Sequence, residues 1–162
     1  MLKRFLTSIA VVVTLCGPAA AGPFEDADAA YERGDFATAT RLWRPLAEQG
    51  LAAAQFNLAL MYDKGRGVPQ DYVQVVKWYR LAADQGLAAA QSNLGTRYDE
   101  GRGVPQDYVQ AHKWFNLAAS QYPASEKERR DIAVKNRDIV AAKMTPAQIA
   151  EAQKLAREWK PK

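Results

Sequence analysis

Residues able to do chemistry are scarce in this chain of 162 residues. It contains one cysteine, Cys16, and one histidine, His112. A single cysteine excludes a disulfide framework within the chain and a zinc site built from thiolates. A lone histidine lacks the partners that a histidine-based metal centre or a Ser-His relay requires. We therefore expect no metal site and no cofactor, and we interpret His112 as a structural residue, partly buried or on the surface.

Carboxylates offer a second route to catalysis, because two acids held together can act as general acid and general base. Asp63 and Asp71 recur later in the chain as Asp99 and Asp107. Asp71 and Asp107 stand where a helix N-cap is expected, and nothing in the sequence brings a pair of acids into register. The sequence therefore predicts no catalytic residue.

The segment Gly65-Arg66-Gly67 could be a loop that cradles a phosphate. No strand is predicted before it, and no Gly-Lys-Ser/Thr follows it, so the phosphate-loop pattern is incomplete. Glycine can adopt the left-handed conformation that closes a helix. We interpret both glycines as a helix end.

The four tryptophans could form a platform on which sugars or bases stack. Two of them occupy equivalent positions in the repeat described next, which favours packing inside the fold. The four are Trp43, Trp78, Trp114 and Trp159.

An internal repeat of 36 residues positions most of these side chains. Residues 51–86 align without a gap on residues 87–122, and 25 of the 36 positions are identical. Self-similarity at this period is typical of solenoids built from stacked supersecondary units. The same offset extends in part to residues 24–50, which we interpret as a partial N-terminal unit.

Each full unit is predicted to form two helices. In the first unit they cover residues 52–64 and 72–85, with the glycines between them as the turn. Asp71 is the expected N-cap of the second helix, and Gln74 completes a capping-box pattern.

The C-terminal segment, residues 123–162, leaves the repeat. Ser125–Glu128 and Thr145–Gln148 each have the pattern that opens a helix, so two further helices are predicted. A solenoid exposes the apolar face of its last unit unless something covers it. We expect these helices to be the cap.

Residues 1–21 have the pattern of a secretory signal peptide. A short basic end precedes an apolar run, and Ala19-Ala20-Ala21 supplies small residues before a cleavage point after about Ala21. The alternative is a lipid-modified Cys16, but such a site favours a small residue where this chain has Leu15. We expect an exported protein, periplasmic or secreted, without stable membrane insertion after cleavage.

The charge balance argues against a nucleic-acid partner. The full chain has 22 basic and 18 acidic residues. Removal of the signal segment takes away two basic residues and leaves 20 against 18, a net charge of +2. A nucleic-acid-binding domain is normally far more basic, so no nucleic acid is expected as a partner.

The repeat resembles the Sel1-like repeat, a relative of the tetratricopeptide repeat with a longer loop inside each unit. The resemblance covers residues 51–122. In the partial unit the loop Glu32-Arg33-Gly34 is shorter, which is more similar to a tetratricopeptide hairpin. The motif positions of the first full unit are Gly65, Gly67, Val68, Pro69, Asp71, Trp78, Ala82 and Ala83.

The resemblance implies an all-α fold, a short right-handed solenoid of helix pairs. It also implies a non-enzymatic scaffold or adaptor that binds a protein or peptide. Two alternatives remain open, a cell-envelope enzyme or hydrolase-associated factor and a purely structural stabiliser of an envelope complex. Some exported relatives have been linked to penicillin binding, but no serine here has the lysine three residues later that β-lactamase chemistry uses.

The partner site is predicted where the two full units differ, because shared residues mostly build the shared scaffold. On the first helix of each unit these differences are spaced by four and lie beside the packing stripe formed by Ala54, Leu58 and Tyr62. This face corresponds to the concave surface of the solenoid. Two asparagines flank it and either bind a partner's backbone or bridge adjacent repeats. The predicted site residues are Phe56, Asn57, Leu60, Lys64, Ser92, Asn93, Thr96 and Glu100.

Overall fold

The computed structural model describes residues 22–162, so the predicted signal segment lies outside the described residues. Within that range the chain forms eight α-helices and one short 3-10 helix, Ala124–Glu126, and it contains no strand. The all-α prediction is confirmed. The α-helices are α1 (Pro23–Glu32), α2 (Phe36–Glu48), α3 (Ala52–Lys64), α4 (Tyr72–Asp84), α5 (Ala88–Glu100), α6 (Tyr108–Gln121), α7 (Lys127–Ala141) and α8 (Pro146–Glu158).

Helices that follow each other from α1 to α7 pack against each other, which is the arrangement of an α-solenoid of helix pairs. The pairs are α1 with α2, α3 with α4, and α5 with α6. Both α7 and α8 contact α6. Trp159, directly after α8, is half-buried and approaches Gly86 at the end of the first full unit. The two last helices therefore lie against the second full unit.

The expected N-cap residues Asp71, Asp107 and Thr145 are confirmed, whereas two of the expected capping boxes do not form. The Asp71 carboxylate accepts hydrogen bonds from the backbone N–H groups of Val73 and Gln74, at 2.9 and 3.1 Å. The capping box predicted with Gln74 is wrong. Its side chain does not accept from the Asp71 N–H, which donates instead to the Tyr62 carbonyl at 3.2 Å.

The C-terminal helices show the same contrast. Thr145 and Gln148 form the complete capping box at the start of α8, so that prediction is confirmed. The capping box predicted at Ser125 does not form, so that prediction is wrong. Ser125 lies in the 3-10 helix, and α7 begins at Lys127 without a side-chain cap.

The Gly-Arg-Gly loop clamps one unit onto the preceding one. Gly65 has φ +63° and closes α3 in the left-handed conformation, as predicted. Gly67 has φ +71° and presses against the backbone of Phe36, so that a Cβ at this position would collide with the Phe36 carbonyl. The Arg66 guanidinium lies 4.9 Å from the centre of the Phe36 ring. The loop therefore holds the first full unit against α2. Its arginine makes a cation–π contact that the sequence motif did not predict.

An aromatic residue at one repeated position fills the space between successive helices. Trp43, Tyr79 and Phe115 are spaced by 36 residues, and each is only 2% exposed. Trp78 and Trp114 are buried as well. Three of the four tryptophans are therefore core residues.

Candidate binding surface

The eight predicted site residues lie on two neighbouring helices, four on α3 and four on α5. All eight are partly or largely exposed, and none belongs to the core. The two helices are adjacent, because the Arg97 guanidinium of α5 lies 3.4 Å from the Asp63 carboxylate of α3. We call the exposed residues of α1, α3 and α5 the first-helix surface.

Phe56 is the predicted site residue with the clearest internal role. Its ring packs against the ring of Tyr79 on α4, with centroids 5.7 Å apart and planes tilted by 43°. Tyr79 is buried, and this burial raises the pKa of its hydroxyl. Phe56 therefore supports the core, and its removal would change the fold as well as the surface.

Two polar site residues on α5 are also engaged within the fold. The Asn93 side chain lies beside the Tyr79 hydroxyl, where hydrogen bonding to the phenolate opposes the effect of burial on the pKa. Since Tyr79 belongs to the preceding unit, this contact is a bridge between repeats. The Thr96 hydroxyl donates to the Ser92 carbonyl at 3.3 Å, one helical turn earlier.

The charged site residues take part in open ion pairs. Lys64 lies 3.6 Å from Asp63, which precedes it on α3. Glu100 lies 3.6 Å from Arg97 and 3.8 Å from Arg102. Exposed pairs of this kind contribute at most about 1 kcal/mol, so Lys64 and Glu100 remain available to a partner at little cost.

Asn57 and Leu60 line a pocket of about 250 Å³ between α1 and α3. Met61 adds a third residue from α3 to its lining, and Trp43 of α2 contributes its aromatic ring. The remaining lining residues come from α1: Asp28, Tyr31 and Glu32. The structure therefore brings two of the eight predicted residues into one concave site with five others.

The pocket residues of α1 were not predicted, because α1 lies outside the two full units whose differences located the site. A signal was present, since α1 carries four acidic residues and no basic one. Asp28 and Glu32 are spaced by four, which places both carboxylates on the same face of the helix. An acidic face on an N-terminal helix that pairs with a repeat could have drawn attention to this segment.

The pocket combines aromatic surface with acceptors of hydrogen bonds. The Trp43 indole Nε1 donates to Asp28 at 3.2 Å, which fixes that carboxylate and leaves its second oxygen for another donor. The Tyr31 and Trp43 rings lie 5.7 Å apart with their planes tilted by 45°. Rings beside carboxylates and an amide favour a group that is both flat and a donor.

The structure shows no group of three or more His, Cys, Asp or Glu side chains arranged for a metal ion in residues 22–162. His112 is more buried than expected, at 3% exposure on α6. Burial lowers the pKa of His112, the nearby Arg137 lowers it further, and Asp138 opposes both. None of the helices in this range is long and apolar enough to cross a membrane.

Comparisons with known proteins agree with this geometry. The Sel1 repeat family model matches residues 52–87 and 88–122. A protective antigen of uropathogenic Escherichia coli with an SLR fold is similar in structure, with a TM-score of 0.75 and 34% identity. The match covers 85% of this chain and 29% of the antigen, so this chain spans under a third of that protein.

A second solved structure, a Sel1 repeat protein from Oxalobacter formigenes, is 38% identical with a TM-score of 0.58. That match covers 67% of this chain and 85% of the other. No curated protein matches the sequence.

Proposed function

This chain belongs to the Sel1 repeat family, and on that premise we propose that it is an exported scaffold that binds a polypeptide partner on the concave surface of its helix array. Sel1 repeat proteins generally mediate protein–protein interactions. The observation that carries the proposal is the pocket between α1 and α3, which the half-buried Asn57 and Leu60 help to line. A pocket within an extended helical surface suits an anchor side chain of a bound peptide.

Export is part of the same proposal. The first helix begins at Pro23, so cleavage after Ala21 would remove none of the described helical residues. The expected mature protein starts near Gly22 and carries no lipid. Mass spectrometry of the protein from exporting cells tests this, and a diacylated Cys16 would contradict it.

The partner site can be mapped by photo-crosslinking. A photoreactive amino acid at Asn57 or Thr96 should crosslink to one polypeptide in the exporting cell. The matched control places it at Val73 on α4, which is 64% exposed and lies off the first-helix surface. Crosslinks from Val73 with none from Asn57 and Thr96 would place the partner site elsewhere.

The affinity test removes two half-buried side chains that line the pocket. Phe56 is unsuitable, because its ring supports Tyr79. We expect the double change Asn57→Ala and Leu60→Ala to weaken binding of the crosslinked partner at least about tenfold, as for anchor residues of an interface. Circular dichroism should show an unchanged helical spectrum. Val73→Ala is the matched control, and it should leave the affinity as it is.

A further inference from the structure

The boundary between α1 and α3, which holds the pocket, has a counterpart one unit later, the boundary between α3 and α5. The repeat offset of 36 residues places Met61 at the position of Arg97 and Asn57 at the position of Asn93. Met61 lines the pocket and carries no charge. The counterpart position is therefore changed from an apolar side chain to a cationic one.

At both boundaries the preceding first helix carries an acidic residue near its end. Tyr31 on α1 and Tyr62 on α3 hold the same motif position, and each is followed by an acid, Glu32 in one case and Asp63 in the other. The offset here is shorter because the loop after α1 is shorter. The two boundaries thus share an acidic residue on the preceding helix.

The cation is supplied from inside the fold at only one of the two boundaries. Arg97 reaches Asp63 at 3.4 Å, and their side chains are only 12% and 14% exposed. Among residues 22–162, no lysine or arginine lies within 4 Å of the carboxylates of Asp28 or Glu32. The first boundary therefore has the acids and the space, while its cation is missing.

We propose that this pocket binds the side chain of an arginine in the partner polypeptide, in the place that Arg97 takes one unit later. The inference rests on the proposed function, since it names the chemistry of that partner. A guanidinium is planar and can lie against the half-buried Tyr31 ring while it donates to Asp28 and Glu32. The acidic excess of α1 attracts a basic segment before contact.

Arginine is favoured over lysine by the shape of the site as well as by its charge. The Asp28 carboxylate is held in place by the Trp43 indole, so an incoming planar donor meets a fixed acceptor. An ammonium group would satisfy the charge but would not lie flat against the Tyr31 ring as a planar guanidinium does. A volume of about 250 Å³ accommodates one long side chain and excludes a folded segment.

The direct test is a titration of the purified, ¹⁵N-labelled protein with N-acetyl-arginine amide, followed by NMR. We expect shift changes at Asp28, Glu32 and Asn57 and at the Trp43 indole N–H. The neutral analogue N-acetyl-citrulline amide has the same shape without the charge, and it should bind at least about fivefold more weakly. Equal binding of the two probes, or no shifts at these positions, would overturn the proposal.

Three variants locate the effect. Glu32→Gln should weaken binding of the arginine probe at least about fivefold, because it removes an acid that lines the pocket. Glu25→Gln makes the same charge change on the same helix outside the pocket, and it should bind the probe like the parent. Met61→Arg should fill the pocket from inside and abolish binding of the probe. Retained binding in folded Met61→Arg protein would contradict the proposal.

The result also separates this inference from the proposed function. If the arginine probe fails while the crosslinks from Asn57 and Thr96 persist, the partner uses the first-helix surface without an arginine anchor. If the probe binds and the crosslinks are absent, the pocket recognises arginine but the concave-surface scaffold is wrong.

Discussion

Arg97 of α5 reaches back to Asp63 of α3, with Nη1 3.4 Å from Oδ1, and this ion pair joins the two full repeats. Both side chains are largely withdrawn from water. Removal of one partner from such a pair leaves the other charge poorly solvated, which costs more than the pair itself contributes.

Arg97→Met tests this joint by restoring the residue that the first unit has at the same position. We expect it to lower the free energy of unfolding by about 1–3 kcal/mol, because Asp63 loses its buried cation and keeps only the exposed Lys64 beside it. Adding Asp63→Asn should recover part of the loss, since the largely buried position 63 then carries no charge. Urea denaturation of both single variants and the double variant measures the coupling. Strictly additive effects would show that the two residues do not interact.

Asp71→Ala should lower the free energy of unfolding by about 0.5–2 kcal/mol, the usual cost of a lost N-cap. The reason is that two backbone N–H groups at the start of α4 would lose their acceptor. Asp71→Asn is the matched control, because asparagine caps helices about as well as aspartate. Thermal melts followed by circular dichroism compare them. If both variants melt alike, capping is not what Asp71 contributes.

Gly67→Ala should be more destabilising than Gly65→Ala. Both glycines have positive φ, which costs a residue with a Cβ about 1–2 kcal/mol. At Gly65 the added Cβ would lie 3.4 Å from Gln70, an ordinary contact. At Gly67 it would collide with the Phe36 backbone, so the total loss should reach about 3 kcal/mol or more. Equal losses in chemical denaturation would mean that the two units are not held this closely.

His112 should make the stability of the fold depend on pH. Its pKa is lowered in the folded protein by burial and by Arg137, so the unfolded chain binds the proton more readily. The free energy of unfolding should therefore be highest above the unfolded pKa of about 6.5 and should fall as the pH drops below it.

The variant His112→Val places at this position the residue that the first unit has, the buried Val76. Its free energy of unfolding should change less than that of the parent between neutral pH and the range below the folded pKa. Parallel pH profiles for the two proteins would exclude His112 as the titrating group.

Much of the fold could be predicted because the same helix-ending glycines and helix-capping aspartates occur in both full units. Glycines after a helical segment and an aspartate before one mark boundaries through backbone conformation and capping, and both depend only on neighbouring residues. The helix predicted at 52–64 is α3 without any difference. The helix start predicted at Ser125 is wrong because Ser125 lies inside the 3-10 helix Ala124–Glu126, which precedes α7.

The candidate site was only half predictable. Asn57 and Leu60 were found because they lie beside the packing stripe of α3, a property of helical spacing. The acids of α1 could not be found in this way. Their distance from α3 depends on how the shortened first loop packs α1 against the next unit. Phe56 was assigned to the binding surface because its contact with Tyr79 joins two helices, and helical spacing within α3 does not reveal such a contact.

The sequence by itself determined the helices, their order and the family, because local capping, glycine turns and a 36-residue period require no knowledge of distant contacts. Only the tertiary structure decided which side chains share a space. It buried Gln55 and Gln91 against the carbonyls of Ala47 and Ala83 in the preceding units. It also placed Arg97 on Asp63 and left Met61 facing the acids of α1, because packing between units sets which charges meet.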